Sequence, residues 1–198
     1  TVLIACAAHL VLTHGVIIMQ LMLKLSPINF FRGAREAMLV AFSTSSSAAT
    51  LPVSMSAAED NLGVKPVVAS TVLPLGATIN MDGTALYVGI VSVFAAQAFG
   101  IDLTLTDYLI MAGTTTLVSV GTAAVPSASL FLMAAVMETI GMTAQQIAVT
   151  VGFIFIIDRP LDMLRTSINI AGDLAVSTAV ATWEGEFDRE VFDRPLNS

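Results

Sequence analysis

Charged positions fall in narrow bands along this chain, and between them hydrophobic residues run almost unbroken. No charged side chain occurs from Thr1 to Leu23, from Ala37 to Ala58, from Gly83 to Ile101, from Tyr108 to Met137, or from Thr139 to Ile157. A helix that crosses a bilayer needs about 20 largely apolar residues, and several of these runs reach that length. The first predicts a membrane helix over 1–25, closed by Lys24 and the Ser26-Pro27 turn. In the next segment, Ser43 to Thr50 sets six hydroxyl residues in eight positions between apolar arms too short to cross alone. A backbone break at membrane depth survives only where protein or a watery cavity satisfies its polar groups. The pattern therefore predicts a re-entrant hairpin over 28–60, with a small-residue packing seam between helices as the plainer reading of that stretch alone.

Residues 64–99 are long enough to span but are interrupted by Asn80-Met81-Asp82-Gly83-Thr84. Residues 104–141 repeat the hairpin pattern, with Ser119 to Ser129 as the polar middle, and a last helix is predicted over 145–182, ahead of a soluble acidic tail over 183–198. The order is hairpin, polar-centred helix, hairpin, polar-centred helix. Interrupted segments in corresponding positions of a repeat are the sign of a secondary transporter whose site lies between the repeats; a pore would show one filter motif per subunit. The predicted fold class is an all-α membrane protein with two re-entrant helical hairpins and two interrupted or kinked helices. The kink is placed at Pro160, whose ring removes a backbone hydrogen bond.

Composition agrees. Of 198 residues, 12% are charged and 56% hydrophobic, with a mean hydropathy of +0.85, whereas a soluble domain carries about 25% charged residues. A water-soluble globular fold is thereby excluded. The expected setting is membrane lipid, with multi-pass insertion in the cell (inner or plasma) membrane, and no nucleic-acid partner is expected. The net charge of −7 is not a patch for a partner, because Glu184, Glu186, Asp188, Glu190 and Asp193 all fall in the tail. Cys6, the one cysteine, excludes an internal disulfide framework and reads as a small buried thiol. His9 and His14 lie five positions apart, about 140° round an α-helix. They are therefore expected to hydrogen-bond to neighbouring helices rather than to form a two-ligand face. The chain enters an apolar run at Thr1 with no basic leader, which reads as the middle of a membrane protein, with something upstream missing, and not as a signal peptide.

Charges inside apolar helices are costly and mark function. Asp158, Asp162, Arg165, Asn169 and Asp173 are spaced 4, 3, 4 and 4 residues apart, so they form one slowly winding polar stripe on the last helix. An ion-pair ladder between helices is the plain alternative, but buried pairs are weak sources of stability. A ladder explains neither the serine-rich hairpins nor the surplus carboxylates. An intramembrane hydrolase would leave Arg165, Asn80 and Asn169 without a role and supplies no general base beside a single serine, so the chain is not read as an enzyme.

Asn80-Met81-Asp82-Gly83-Thr84, the tip ending in Thr50-Leu51-Pro52, Gly121-Thr122-Ala123-Ala124-Val125-Pro126, and the run from Asp162 to Asp173 together resemble the dicarboxylate/amino-acid:cation symporter family, over about residues 1–182. The resemblance implies an inverted repeat and the transport core of a symporter, a fragment lacking N-terminal scaffold helices through which the whole protein would be a homotrimer. It implies an acidic amino acid, L-glutamate or L-aspartate, as substrate. Arg165 would hold the side-chain carboxylate with Thr84 beside it, an arginine fork being suited to a carboxylate. Asp162 would take the ammonium, and Asn169 with the tip at Ser46 and Ser47 the main-chain carboxylate; Val125 and Thr166 complete the set. Sodium ions, co-transported, would be held by Gly76, Asn80, Asn169 and Asp173, by Asn80 and Asp82 at a second position, and by Thr78, Ser119, Val120 and Thr122 at a third. No organic cofactor is implied. Val88 stands where proton-coupled members carry glutamate, which favours sodium. The alternatives are a proton-coupled glutamate or dicarboxylate carrier and a truncated, non-transporting fragment. Ser45 and Met163 stand where relatives place a further arginine, for which Arg159 is a candidate replacement or else an interfacial anchor. Ala124, Ser127 and Ser129 replace frequent glycines, so the second hairpin is expected to gate stiffly.

Overall fold

Hydroxyl and proline residues set where the helices of this chain begin and end. The computed structural model describes residues 1–121 and 124–194, and these are almost entirely helical. α1 (Val2–His9) runs on without a break into a π-helical stretch, Leu10–Met22. Ser26 caps α2 (Pro27–Thr44): its hydroxyl accepts the Asn29 N–H at 3.3 Å, and Pro27 takes the first helical position, where no amide is needed. At the other end Ser45 adopts the left-handed conformation, φ 52°, and stops α2. Ser46 then caps α3 (Ser47–Ser56) by accepting the Ala49 N–H at 3.2 Å. One serine ends the first arm and the next begins the second, which is why the hydroxyl run reads as a break. α3 continues as a π-turn over Ala57–Asn61.

α4 (Pro66–Ile79) and α5 (Asp82–Ala98) are parted by Asn80 and Met81, whose φ/ψ of −90°/82° and −111°/49° are not helical. The break is narrower than the five-residue motif. α6 (Leu105–Val120) starts at a capping box of Thr104 and Asp107, and α7 (Ser129–Thr139) returns against it. α8 (Ala144–Glu184) starts at a second box, Thr143 with Gln146, and stops at left-handed Gly185. Pro160 lies inside α8, which nevertheless runs unbroken for 41 residues. α2 packs on α3 as α6 does on α7. Two helical segments, Val2–Met22 and Pro66–Ala98, are long and apolar enough to cross a membrane.

Two apolar cores flank the middle of α8. Phe30, Leu62 and Leu73 gather on the C-terminal half of α8 at Ile170 and Leu174. Tyr87, Val91, Met133 and Met137 gather on its N-terminal half at Ile147 and Ile154. Each core takes one hairpin and one half of the broken helix. The polar stripe of α8 and the Asn80-Met81 break are left facing one another between them. Large apolar side chains such as Ile4, Phe131 and Ile156 stay more than three-quarters exposed, at 76%, 84% and 79%, a surface that suits lipid or protein neighbours.

Two expectations are corrected here. His9 and His14 do share a face, because they lie at the start of the π-helical stretch. Hydrogen bonds reaching five residues back stack side chains five apart, where α-helical geometry would splay them. The acidic segment after α8 is not a free tail. Its carboxylates face solvent, but Phe192 is 2% exposed in the first core, Lys65 N–H donates to Glu186 C=O at 3.0 Å, and Asp188 N–H donates to Gly63 C=O at 2.7 Å. The charge count masked two phenylalanines, Phe187 and Phe192, that dock the segment and its short helix α9 (Arg189–Asp193). The last four residues of the predicted tail lie outside the described ones.

Candidate binding site

Four elements deliver the polar groups: the centre of α8, the break between α4 and α5, and the two hairpin tips. Arg165 is 2% exposed. Its guanidinium donates to Asp162 Oδ1 at 2.8 Å and to Asp158 Oδ1 at 3.2 Å, and lies 4.4 Å over the Tyr87 ring. Tyr87 OH also donates to Asp158 Oδ1, at 2.9 Å. From the second hairpin, Ser127 N–H donates to Asp162 Oδ2 at 2.9 Å and the Ser127 hydroxyl to Asp158 Oδ2 at 2.8 Å. One guanidinium thus faces two carboxylates. Both carboxylates are almost fully withdrawn from water, so their hydrogen bonds are what make burial tolerable.

The cavity above this cluster has a volume of about 20 Å³, room for about one water. Ser47, Thr84, Val125, Asp162, Arg165, Thr166 and Asn169 all line it. Ser46 does not; its hydroxyl donates to Ala124 C=O at 2.8 Å and ties one hairpin tip to the other. Ser45 and Ser129 also line the cavity, and their buried hydroxyls have no hydrogen-bond partner among the described residues. Among the described residues of this tip Ser127 is left-handed, φ 58°, so backbone strain there falls on a residue with a side chain. Arg159 is 55% exposed and only reaches 4.0 Å from Asp162, the placement of an outer anchor.

Beside the cavity the helix break brings several oxygen atoms together. Asn80 Nδ2 donates to Asp173 Oδ1 at 2.9 Å. The Gly76 carbonyl accepts the Asn80 N–H at 2.8 Å, and a Cβ on Gly76 would lie 2.6 Å from Asp173 Oδ1, so these three groups are adjacent. Asn169 joins the two regions: its Oδ1 accepts Gly83 N–H at 2.8 Å and its Nδ2 donates to Thr84 Oγ1 at 3.3 Å. Asp82 Oδ2 instead accepts from His9 and His14. The third cation set is not drawn together by any described contact. Thr78 is exposed with its hydroxyl on Leu75 C=O, Ser119 donates to Thr116 C=O, Val120 is 44% exposed, and Thr122 lies outside the described residues.

Gly83 is where this geometry is least forgiving. A Cβ there would sit 2.6 Å from Arg165 C=O and 3.0 Å from Asn169 Oδ1. A backbone carbonyl in the middle of α8 cannot swing aside, so Gly83→Ala is expected to destabilise the protein by about 1–3 kcal/mol. A thermal melt in detergent reads this as a clear fall in Tm; an unchanged Tm would mean that α5 and α8 are less closely apposed. Sequence reasoning missed Tyr87, the Ser127 clamp and the orphan hydroxyls of Ser45 and Ser129. A signal existed only for the serines, which lie in the two hydroxyl-rich runs.

The family model described as the sodium:dicarboxylate symporter family matches residues 1–183. A putative sodium-dependent excitatory amino acid transporter of Caenorhabditis elegans, glt-4, is 41% identical over 173 residues, which is 85% of this chain and 34% of that protein. Excitatory amino acid transporter 2 of Mus musculus is 41% identical over 164 residues, 81% of this chain and 28% of that protein. Excitatory amino acid transporter 5 of the same animal is 38% identical over 172 residues, 85% of this chain and 30% of that protein. The chain thus spans about a third of the length of the curated relatives it matches.

Proposed function

Because this chain belongs to the sodium:dicarboxylate symporter family, and is therefore part of a membrane transporter, we propose that it carries the site at which an acidic amino acid, glutamate or aspartate, is moved together with sodium. One observation carries this reading. Arg165 and Asp162 stand 2.8 Å apart on the wall of a small cavity that Asn169 also lines, and Gly76, Asn80 and Asp173 gather at the helix break. An arginine fork alone would suit any carboxylate, and a buried aspartate alone any amine. Together they suit a molecule with both groups, and a dicarboxylate without an amine would have no use for Asp162. The Ser47 tip, Thr166 and Asn169 supply the hydroxyl and amide donors for the main-chain carboxylate.

At about 20 Å³ the cavity must enlarge to admit an amino acid. The bonds that restrain it are the Ser127 clamp and the Ser46 tie, so the two hairpins act as re-entrant gates, one to each side of a plasma or inner membrane. The body formed by the helices moves against scaffold helices of a trimeric whole. Sodium couples to substrate because Asn169 belongs to both sets: ordering it from the cation side completes the substrate side, and each ligand then raises the other's affinity by the same factor. Oxygen-only ligation with one or two carboxylates suits a hard cation, and Val88, buried in an apolar core, offers no proton carrier beside the break. The third cation set, at the approach of α4 and α6, rests on the family resemblance.

The test is uptake of labelled aspartate and glutamate into vesicles holding the full-length protein. Accumulation is expected with an inward sodium gradient and not without one. A requirement for a proton gradient alone would overturn the sodium reading, and no uptake at all would favour a non-transporting product.

A further inference from the structure

We propose that His9, His14 and Asp82 form a binding site for a divalent transition-metal ion of the zinc class. The two imidazole Nε2 atoms each lie 2.8 Å from the same Asp82 Oδ2, and the three potential ligand atoms fall within 4.8 Å of one another. The rings meet edge to face, with centroids 5.1 Å apart and planes at 77°, so neither blocks the other's approach to a shared ion. π-turns are rare and cluster at functional sites. This one does something an α-helix would not: it brings residues five apart onto a single ligand face.

Two nitrogens and one carboxylate oxygen, with a fourth position open to water, are a donor set that zinc-class ions favour. Sodium gains little from imidazole nitrogen. The surroundings fix the ligands. Asp82 Oδ1 is held by Gly83 N–H at 2.8 Å, which leaves Oδ2 to the histidines. Thr13 Oγ1 lies 3.1 Å from His9 Nδ1, placed to accept a hydrogen bond from the Nδ1–H when Nε2 turns to the metal. Behind the cluster a Cβ on Gly172 would lie 3.1 Å from Asp82 Oδ2 and 3.3 Å from His14 Nε2, so α8 closes that side. His9 and Asp82 are 24% and 23% exposed, which gives an ion a way in. Metal–ligand bonds of about 2.0–2.2 Å need the present contacts to open by only about half an ångström.

A consequence for transport rests on the reading above, in which Asp82 serves sodium: an ion held by the histidines takes that carboxylate away and opposes sodium. The purified protein is therefore titrated with Co2+, whose visible absorption reports its ligand set, and the Co2+ is then displaced with Zn2+. One ion per chain is expected, with affinity lowered about tenfold or more in both His9→Ala and His14→Gln at unchanged circular dichroism. No Co2+ uptake, or uptake unchanged in both variants, overturns the site. Zn2+ should also inhibit sodium-driven uptake in the parent but not in His9→Ala, with relief at higher sodium. Should Co2+ bind as described while Zn2+ leaves uptake unaffected, the site stands and the sodium role of Asp82 falls.

Discussion

Replacing Arg165 by alanine is expected to weaken binding of aspartate and glutamate by about 10²- to 10⁴-fold, because two charge-assisted hydrogen bonds to a carboxylate contribute about 1.5–3 kcal/mol each. The guanidinium is presented for this purpose by three contacts, with Asp158, Asp162 and the face of Tyr87. Arg165→Lys should recover only part of the affinity, since an ammonium cannot reach two carboxylates and a substrate in one plane. The variant also leaves Asp158 and Asp162, 1% and 3% exposed, without their cation. A fall in Tm is expected as well, and affinity alone would not separate the two effects. Competition by a neutral amino acid does: it needs Asp162 and Asn169 but not Arg165, so it should bind Arg165→Ala while the acidic substrates do not. Equal loss for both would mean a collapsed site, and unchanged affinity for aspartate would remove Arg165 from recognition.

Asp173→Asn should raise the sodium concentration needed for half-maximal aspartate binding by about tenfold or more, since cation affinity follows the charge of the ligand set. The substitution keeps the shape of the side chain and an oxygen for Asn80, which now donates to Asp173 Oδ1 at 2.9 Å. The charge is therefore what changes. Asp173 does not line the substrate cavity, so aspartate affinity at saturating sodium should stay close to the parent's. Isothermal titration with aspartate over a sodium series reads both quantities. A parent-like sodium requirement would exclude Asp173 as a ligand.

What the sequence revealed followed from local chemistry. The first hairpin tip was legible because Ser45, Ser46 and the run around them act through caps and a left-handed turn within a few residues. The broken helix was legible because Asn80 and Asp82 stand out in an apolar stretch, and the stripe from Asp158 to Asp173 because α8 keeps its period. Features built across the fold were not legible. Tyr87 meets Asp158 across 71 positions and Ser127 meets it across 31, distances at which no spacing rule speaks. The histidines hydrogen-bond to a neighbouring helix, at Asp82, as expected, but their shared face was missed because a spacing of five was converted to an angle at 100° per residue, which the π-turn does not obey. In the tail, charge outnumbered the two phenylalanines that dock it.

Aspartate affinity measured against sodium concentration, in the purified full-length protein, bears on the coupling through Asn169. Affinity should climb as sodium rises and should not respond to equal concentrations of choline. Affinity that stays flat across the sodium series would contradict the coupling and the choice of cation with it.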